Sequence, residues 1–229
     1  MTKAQVRFTR FPLLLVPILL VGAIAVFFFS TSKKTQVKSA SSCGTATTLG
    51  LYEPEEFGYF GGEKFKVPAE VQTSLAQVLG SESPTGERWI EVDLSDQKLK
   101  AWEGESLFLE TSIASGLPWT PTPTGEFRVW GKFKYTKMEG GQGKYYYYLP
   151  NVPYVMFFEN SETPGFKGYG LHGTYWHNSF GTPRSHGCVN LPTPIAKELF
   201  YWTGPNLPEG KGTARASAEN PGTRIMIHD

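Results

Sequence analysis

A mainly β domain with one short helix, carried behind an N-terminal transmembrane helix, is the fold class that the 229-residue sequence predicts. Three observations predict it. The chain holds 16 Phe, 11 Tyr and 6 Trp beside 25 Gly and 17 Pro, a composition that suits short strands joined by many turns. Several segments alternate apolar and polar residues with period two. A single segment near the C-terminus spaces its apolar residues like a helix. With 40% hydrophobic and 19% charged residues, the chain is neither disordered nor a coiled coil.

The N-terminus opens with Lys3, Arg7 and Arg10, followed by an uncharged apolar run over residues 11–29 and then Lys33, Lys34 and Lys38. At ~1.5 Å per residue, a helix of this length just crosses a hydrocarbon core about 30 Å thick. The alternative is a cleaved secretory signal, for which the run is long and the Ala23-Ile24-Ala25 spacing lies too early. Either reading exports the remainder and makes the membrane a partner through residues 11–29. Residues 36–87 read as a Ser/Thr/Lys-rich stalk, with Cys43 as a tether residue, and a short helical segment at 67–79 (Val71, Leu75, Leu79). Residues 1–35 are then anchor or signal, and 88–229 the folded domain. Residues 1–38 carry six Lys/Arg and no acid, leaving 16 basic and 21 acidic residues elsewhere, a net of −5. That balance argues against a nucleic-acid partner.

Within the domain, Trp89-Ile90-Glu91-Val92-Asp93-Leu94 and Lys98-Leu99-Lys100-Ala101-Trp102 alternate about a Ser95-Asp96-Gln97 turn, which predicts a hairpin. Further strands are expected at 107–109, 127–130, 144–149, 154–158, 168–172 and 223–228. The helix is expected after Leu191, with Thr193 as N-cap, Pro194 in the first turn, Ile195, Leu199 and Trp202 on one face, and Gly204 at its end.

Chemistry concentrates at residues 170–191, which hold His172, His177, His186 and Cys188, three of the four histidines and one of the two cysteines. A cysteine thiolate is a nucleophile, and a neighbouring imidazole both takes the thiol proton and stabilises the thiolate. Gly187 allows close backbone approach, and its amide and that of Cys188 are candidate donors to an oxyanion. Arg184 is a candidate for a substrate carboxylate, Asn190 for amide contacts, and Tyr175, Trp176 and His177 for the rim of the pocket. Two cysteines allow at most one disulfide, and Cys188 is expected as a free thiol.

The run His172-Gly173-Thr174, followed by Ser185-His186-Gly187-Cys188-Val189-Asn190, resembles the signature of the YkuD-type L,D-transpeptidases. The resemblance extends from about Trp89, through Thr122-Pro123-Thr124-Gly125 and Gly168-Tyr169-Gly170-Leu171-His172, to about Ile227. It implies a β-sandwich of mixed sheets in the bacterial cell envelope, acting on peptidoglycan stem peptides without a cofactor. Carried over residue by residue, Cys188 is the nucleophile, His172 the base, and the carbonyl of Gly173 the group that orients the imidazole. His186 and Gly187 complete the catalytic set, and Arg184, Ser185, Asn190, Tyr175 and Trp176 the substrate contacts. The family often has a serine where Gly173 stands. The resemblance also implies 3→3 cross-links or attachment of another amine, and acylation by carbapenem-type β-lactams. L,D-carboxypeptidase hydrolysis uses the same first half-reaction. Readings from other classes are a zinc protein using His172, His177, His186 and Cys188, and a non-catalytic wall-binding module.

Overall fold

The computed structural model describes residues 50–69 and 86–229. Every described residue belongs to one compact unit. The apolar run at 11–29, Cys43 and most of the helical segment expected at 67–79 lie outside the described residues. Among the described residues, no helix is long and apolar enough to cross a membrane.

The described strands are β1 (Phe57–Phe60), β2 (Glu63–Lys66), β3 (Arg88–Asp93), β4 (Lys98–Glu103), β5 (Ser106–Ser112), β6 (Gly125–Gly140), β7 (Tyr147–Glu159), β8 (Gly170–Thr174), β9 (Val189–Pro192), β10 (Thr213–Arg215) and β11 (Arg224–His228). Among the described residues one α-helix, α1 (Thr193–Trp202), lies between β9 and β10. The mixed-sheet expectation holds, because β11 pairs β3 in parallel and β8 pairs β9 in parallel while the other pairs are antiparallel. Instead of two separate sheets, the strands form one hydrogen-bonded network in the order β2-β1-β7-β6-β11-β3-β4-β5, with β10 on β6, β8 on β7 and β9 on β8. The physical reason is the length of β6 and β7, 16 and 13 residues. β6 pairs β11 near its start and β10 further along, and β7 pairs β1 near its start and β8 near its end. Register shifts at Val129/Gly131 and Thr136/Met138 bend the pair, as β-bulges do.

Two apolar clusters follow from this branching. The larger joins Ile90, Val92, Leu99, Phe127, Met156 and Ile225 to Leu171 of β8, Val189 and Leu191 of β9 and Leu199 and Phe200 of α1. The smaller, at the other end of β6 and β7, joins Phe133, Met138, Tyr147, Leu149 and Phe157, with Phe60, Phe65 and Trp176 packed against it. Both strands that carry the site residues are thus clamped from behind by core.

The helix departs from expectation at its start. Pro192 occupies the N-cap without a side-chain cap, and the Thr193 hydroxyl instead donates to the Thr174 carbonyl at 3.1 Å, tying α1 to the end of β8. The buried face is Ala196, Leu199, Phe200 and Trp202, with Ile195 at the margin of the cluster. The Thr203 amide closes the last turn onto Leu199 at 2.8 Å.

Lys132 of β6 is 1% exposed, with its Nζ donating to the Thr203 carbonyl at 2.6 Å and lying 4.8 Å from the Phe200 ring centroid. Burial pushes its ammonium down to about 7. Between pH 7 and the ordinary lysine value, the unfolded chain holds a proton that the folded chain does not, so stability rises with pH across that window, by up to about 1.4 kcal/mol per unit. Thermal unfolding followed from pH 7 to 9.5 is expected to show this rise in the wild type and a flat profile in Lys132→Met. An equal rise in both would assign the slope to other groups.

Candidate active site

Parallel pairing of β8 with β9 sets Leu171 beside Val189 and His172 beside Asn190, so Cys188, the residue just before β9, stands next to the histidine strand. Both His172 and Cys188 are 2% exposed. They line a cavity of about 20 Å3 together with Phe60, Trp176, Ser185, His186 and Asn190, room for a single water molecule. His172 Nδ1 donates to the Gly173 carbonyl at 3.0 Å, which fixes the proton on Nδ1 and leaves Nε2 as the basic nitrogen. Burial is the main cause that lowers the His172 imidazolium to about 4, against the smaller raising effect of the Gly173 bond. No serine is needed after this histidine, since the carbonyl is the acceptor. A Cβ at Gly173 would meet Pro153 Cγ at 3.0 Å and Thr193 Oγ1 at 3.1 Å.

The loop before Cys188 hangs on the segment 113–117. Ser115 O accepts from the amides of Arg184 and Ser185, at 2.8 and 2.9 Å, and Ala114 and Asn190 exchange amide bonds at 2.9 and 3.0 Å. Buried Gln97 holds Ser115 in turn, through its amide at 2.7 and 3.0 Å. Gly187 takes φ +113, a backbone position that side chains disfavour. Its amide donates to Ser185 Oγ at 3.0 Å, while the Ser185 hydroxyl donates to the Cys188 carbonyl. Ser185 therefore organises the loop before Cys188, and in this geometry the Gly187 amide is already engaged.

The expectation of a free thiol is corrected. Cys188 is disulfide-bonded, and no cysteine among the described residues is free. A sulfur in a disulfide is not a nucleophile, so a nucleophilic role for Cys188 requires the reduced chain.

Of the other expected site residues, His186 lines the cavity with Nε2 buried and unpartnered. Burial lowers its imidazolium, against a hydrogen bond to the Tyr145 backbone. Trp176 packs on His172 at 5.8 Å between ring centroids, with its Nε1 buried and without a partner. Tyr175 is a packing residue: its hydroxyl donates to the Pro150 carbonyl and its ring meets Phe65 at 5.9 Å. Arg184 is exposed and lies outside the cavity wall, near enough to His177 to help lower it. Among the described residues, no three His, Cys, Asp or Glu side chains are grouped to hold a metal ion, so the four-ligand zinc arrangement is not formed.

His177, expected only at the rim, orients Asn190. The Ser179 amide donates to His177 Nδ1 at 3.2 Å, which puts the proton of a neutral ring on Nε2. That nitrogen lies 2.8 Å from the Asn190 side-chain amide. The arrangement that satisfies both has Asn190 Oδ1 accepting from Nε2–H, leaving the Asn190 NH2 for the cavity it lines. Sequence reasoning missed Phe60, Met138, Tyr147 and Leu149 in the wall. The signal for Phe60 was present: Gly61-Gly62 between alternating segments is a two-residue hairpin turn.

Residues 87–227 match the family model of the YkuD L,D-transpeptidase catalytic domain. The chain belongs to this family. Among solved structures, it is similar to a cysteine-to-serine mutant of Enterococcus faecium L,D-transpeptidase at 31% identity, over 62% of this chain and 50% of that one, with a TM-score of 0.46. The catalytic domain of the E. faecium enzyme acylated by ertapenem aligns at 30% identity, over 63% and 98%, with a TM-score of 0.46. An L,D-transpeptidase from Mycobacterium smegmatis aligns at 19% identity, over 62% and 59%, with a TM-score of 0.49. This chain therefore spans about half the length of the E. faecium chain solved as the cysteine-to-serine mutant. No curated protein matches the chain. The matched residues contain β3 to β9, α1, β10 and all but the last residue of β11; β1 and β2 precede the YkuD domain.

Burial of neutral histidines makes this YkuD site acid-sensitive. His172 and His177 are each held at about 4, mainly by burial, against an ordinary 6.5 in the unfolded chain. Between those values only the unfolded chain is protonated, so stability falls as pH is lowered from 6.5 to 4. The melting temperature is expected to drop across that window and to drop less in His177→Phe; identical profiles would overturn the assignment.

Proposed function

We propose that the reduced chain is a cysteine-dependent L,D-transpeptidase acting on peptidoglycan stem peptides, with Cys188 as nucleophile and His172 as base. The observation that carries the reading is the cavity lined by both Cys188 and His172, at the start of the β8–β9 pairing, with His172 Nδ1 held by the Gly173 carbonyl. His172 Nε2 takes the thiol proton, and the thiolate attacks the carbonyl at the L-centre of the diamino acid joined to a terminal D-Ala. The C–N bond breaks, the D-Ala amine leaves with the proton from the imidazolium, and a thioester remains on Cys188. An amine of a second stem, deprotonated by His172, then attacks the thioester and releases the thiol, forming a 3→3 cross-link. Asn190 NH2 and Trp176 Nε1 supply donors to the bound peptide, and Arg184 meets a substrate carboxylate from outside the cavity. Export behind residues 11–29 places this reaction in the cell envelope. Water in place of the amine gives L,D-carboxypeptidase hydrolysis by the same acyl-enzyme.

The test is intact-mass analysis of reduced full-length protein incubated with meropenem, alongside turnover of a disaccharide tetrapeptide. One adduct on the wild type and none on Cys188→Ala is the expected result. Turnover with no adduct at Cys188, or no adduct and no turnover, would overturn the reading. Cross-linked dimers among the products identify transfer, and tripeptide alone identifies hydrolysis.

A further inference from the structure

We infer that Phe60, on a hairpin preceding the YkuD domain, is a specificity-determining residue of the acyl-donor site, limiting the bulk of the group that reaches Cys188. The inference rests on the transpeptidase reading above. The hairpin of β1 and β2 turns through Gly61 and Gly62, both at positive φ (61° and 83°), as a tight two-residue turn requires. Phe60 ends β1 and sends its ring into the site. Its centroid lies 6.1 Å from Trp176, 6.1 Å from His177 and 6.3 Å from His186. Phe65, on the returning strand, packs edge-on against Tyr175 at 5.9 Å. Two aromatic side chains of one hairpin are therefore seated on the segment that follows His172.

The size of the cavity turns this packing into selectivity. With Phe60 in its wall the space beside Cys188 is about 20 Å3, whereas pockets for drug-sized ligands run to roughly 300–1,000 Å3. An acyl donor must displace the Phe60 ring or present only a slim group beneath it. Displacement of the ring calls for little rupture of the sheet, because few backbone pairs join it to the hairpin. Its backbone joins the sheet at a single register pair, Tyr59 with Tyr148, assisted by the Tyr148 hydroxyl bond to Glu55 at 3.2 Å and the Glu53 amide bond to Asn151 Oδ1 at 2.7 Å. A bulkier donor demands a larger displacement, so the cost rises with the overall bulk of the donor that must seat over Cys188.

The test compares acylation of the reduced full-length chain by imipenem and ertapenem, which share a bicyclic nucleus and differ in the bulk of the adjoining side chain. Second-order rate constants are read by intact mass for wild type, Phe60→Ala and Phe60→Trp. The wild type is expected to favour imipenem. Phe60→Ala should speed ertapenem by at least about tenfold and imipenem by much less, and Phe60→Trp should widen the preference, on the scale of a pocket discriminating by side-chain size. A ratio unchanged in both variants, whether the rates stay or fall together, overturns the inference while leaving the transpeptidase reading intact. Absence of any adduct on the wild type overturns the reading on which it rests.

Discussion

Full-length protein kept free of reductant is expected to gain no meropenem adduct, whereas the same sample treated with dithiothreitol gains one on Cys188. The reason is electronic: in a disulfide the sulfur has no ionisable proton and no thiolate lone pair to direct at a carbonyl. Reduction by the dithiol converts the Cys188 disulfide into two thiols, while dithiothreitol becomes the cyclic disulfide, so electrons and protons balance. The effect should be close to all-or-none, at least a hundredfold in the labelled fraction, on the order of the loss expected when a nucleophile is removed. Cys43 is the chain's other cysteine, and Cys43→Ser is expected to be labelled equally with and without dithiothreitol. Equal labelling of unreduced wild type would show that Cys188 is a thiol in solution and remove the need for reduction. Peptide mapping after alkylation, with and without reduction, reads the same difference independently of any acylating agent.

The sequence made legible those parts of the fold that rest on local pattern. The β3–β4 hairpin and β11 alternate with period two because one face is core and the other solvent, and they lie within a residue or two of their expected bounds. The length of β6 and β7 was not legible, since Met156, Phe157 and Phe158 are all buried and a strand covered on both faces loses its alternation. β9 escaped notice because Val189-Asn190-Leu191-Pro192 is short and is made a strand by its parallel partner β8. The same division holds at the site. His172, His186 and Cys188 stand out as residue types, but the roles of Ser185 and His177 depend on hydrogen bonds to partners that spacing does not reveal. Phe60 belongs to the wall through contacts across more than a hundred residues of sequence, which a reading centred on the 170–191 cluster does not reach.

His172→Gln in the reduced protein is expected to lower the meropenem acylation rate by about 10²–10⁴, the usual worth of a positioned general base. His186→Gln should cost less than about tenfold if its ring only shapes the cavity. Geometry separates the two. His172 Nδ1 is bound to the Gly173 carbonyl beside it and sits on β8, clamped by β7 and β9, so Nε2 is held in one direction. His186 is in the loop that carries Cys188, packed against Tyr147 at 4.9 Å between ring centroids and tied to the Tyr145 backbone. A second readout excludes a merely structural effect. Thiolate absorbance followed against pH should show Cys188 ionising at lower pH in wild type than in His172→Gln, because the imidazolium that forms as the thiol loses its proton stabilises the anion. That same thiolate opposes the burial that holds His172 near 4 in the disulfide form, so the two groups titrate as a pair in the reduced enzyme. Should His186→Gln suffer the larger loss and the thiolate curve shift with it, the base is His186 and the Gly173 carbonyl serves only to seat His172 in the core.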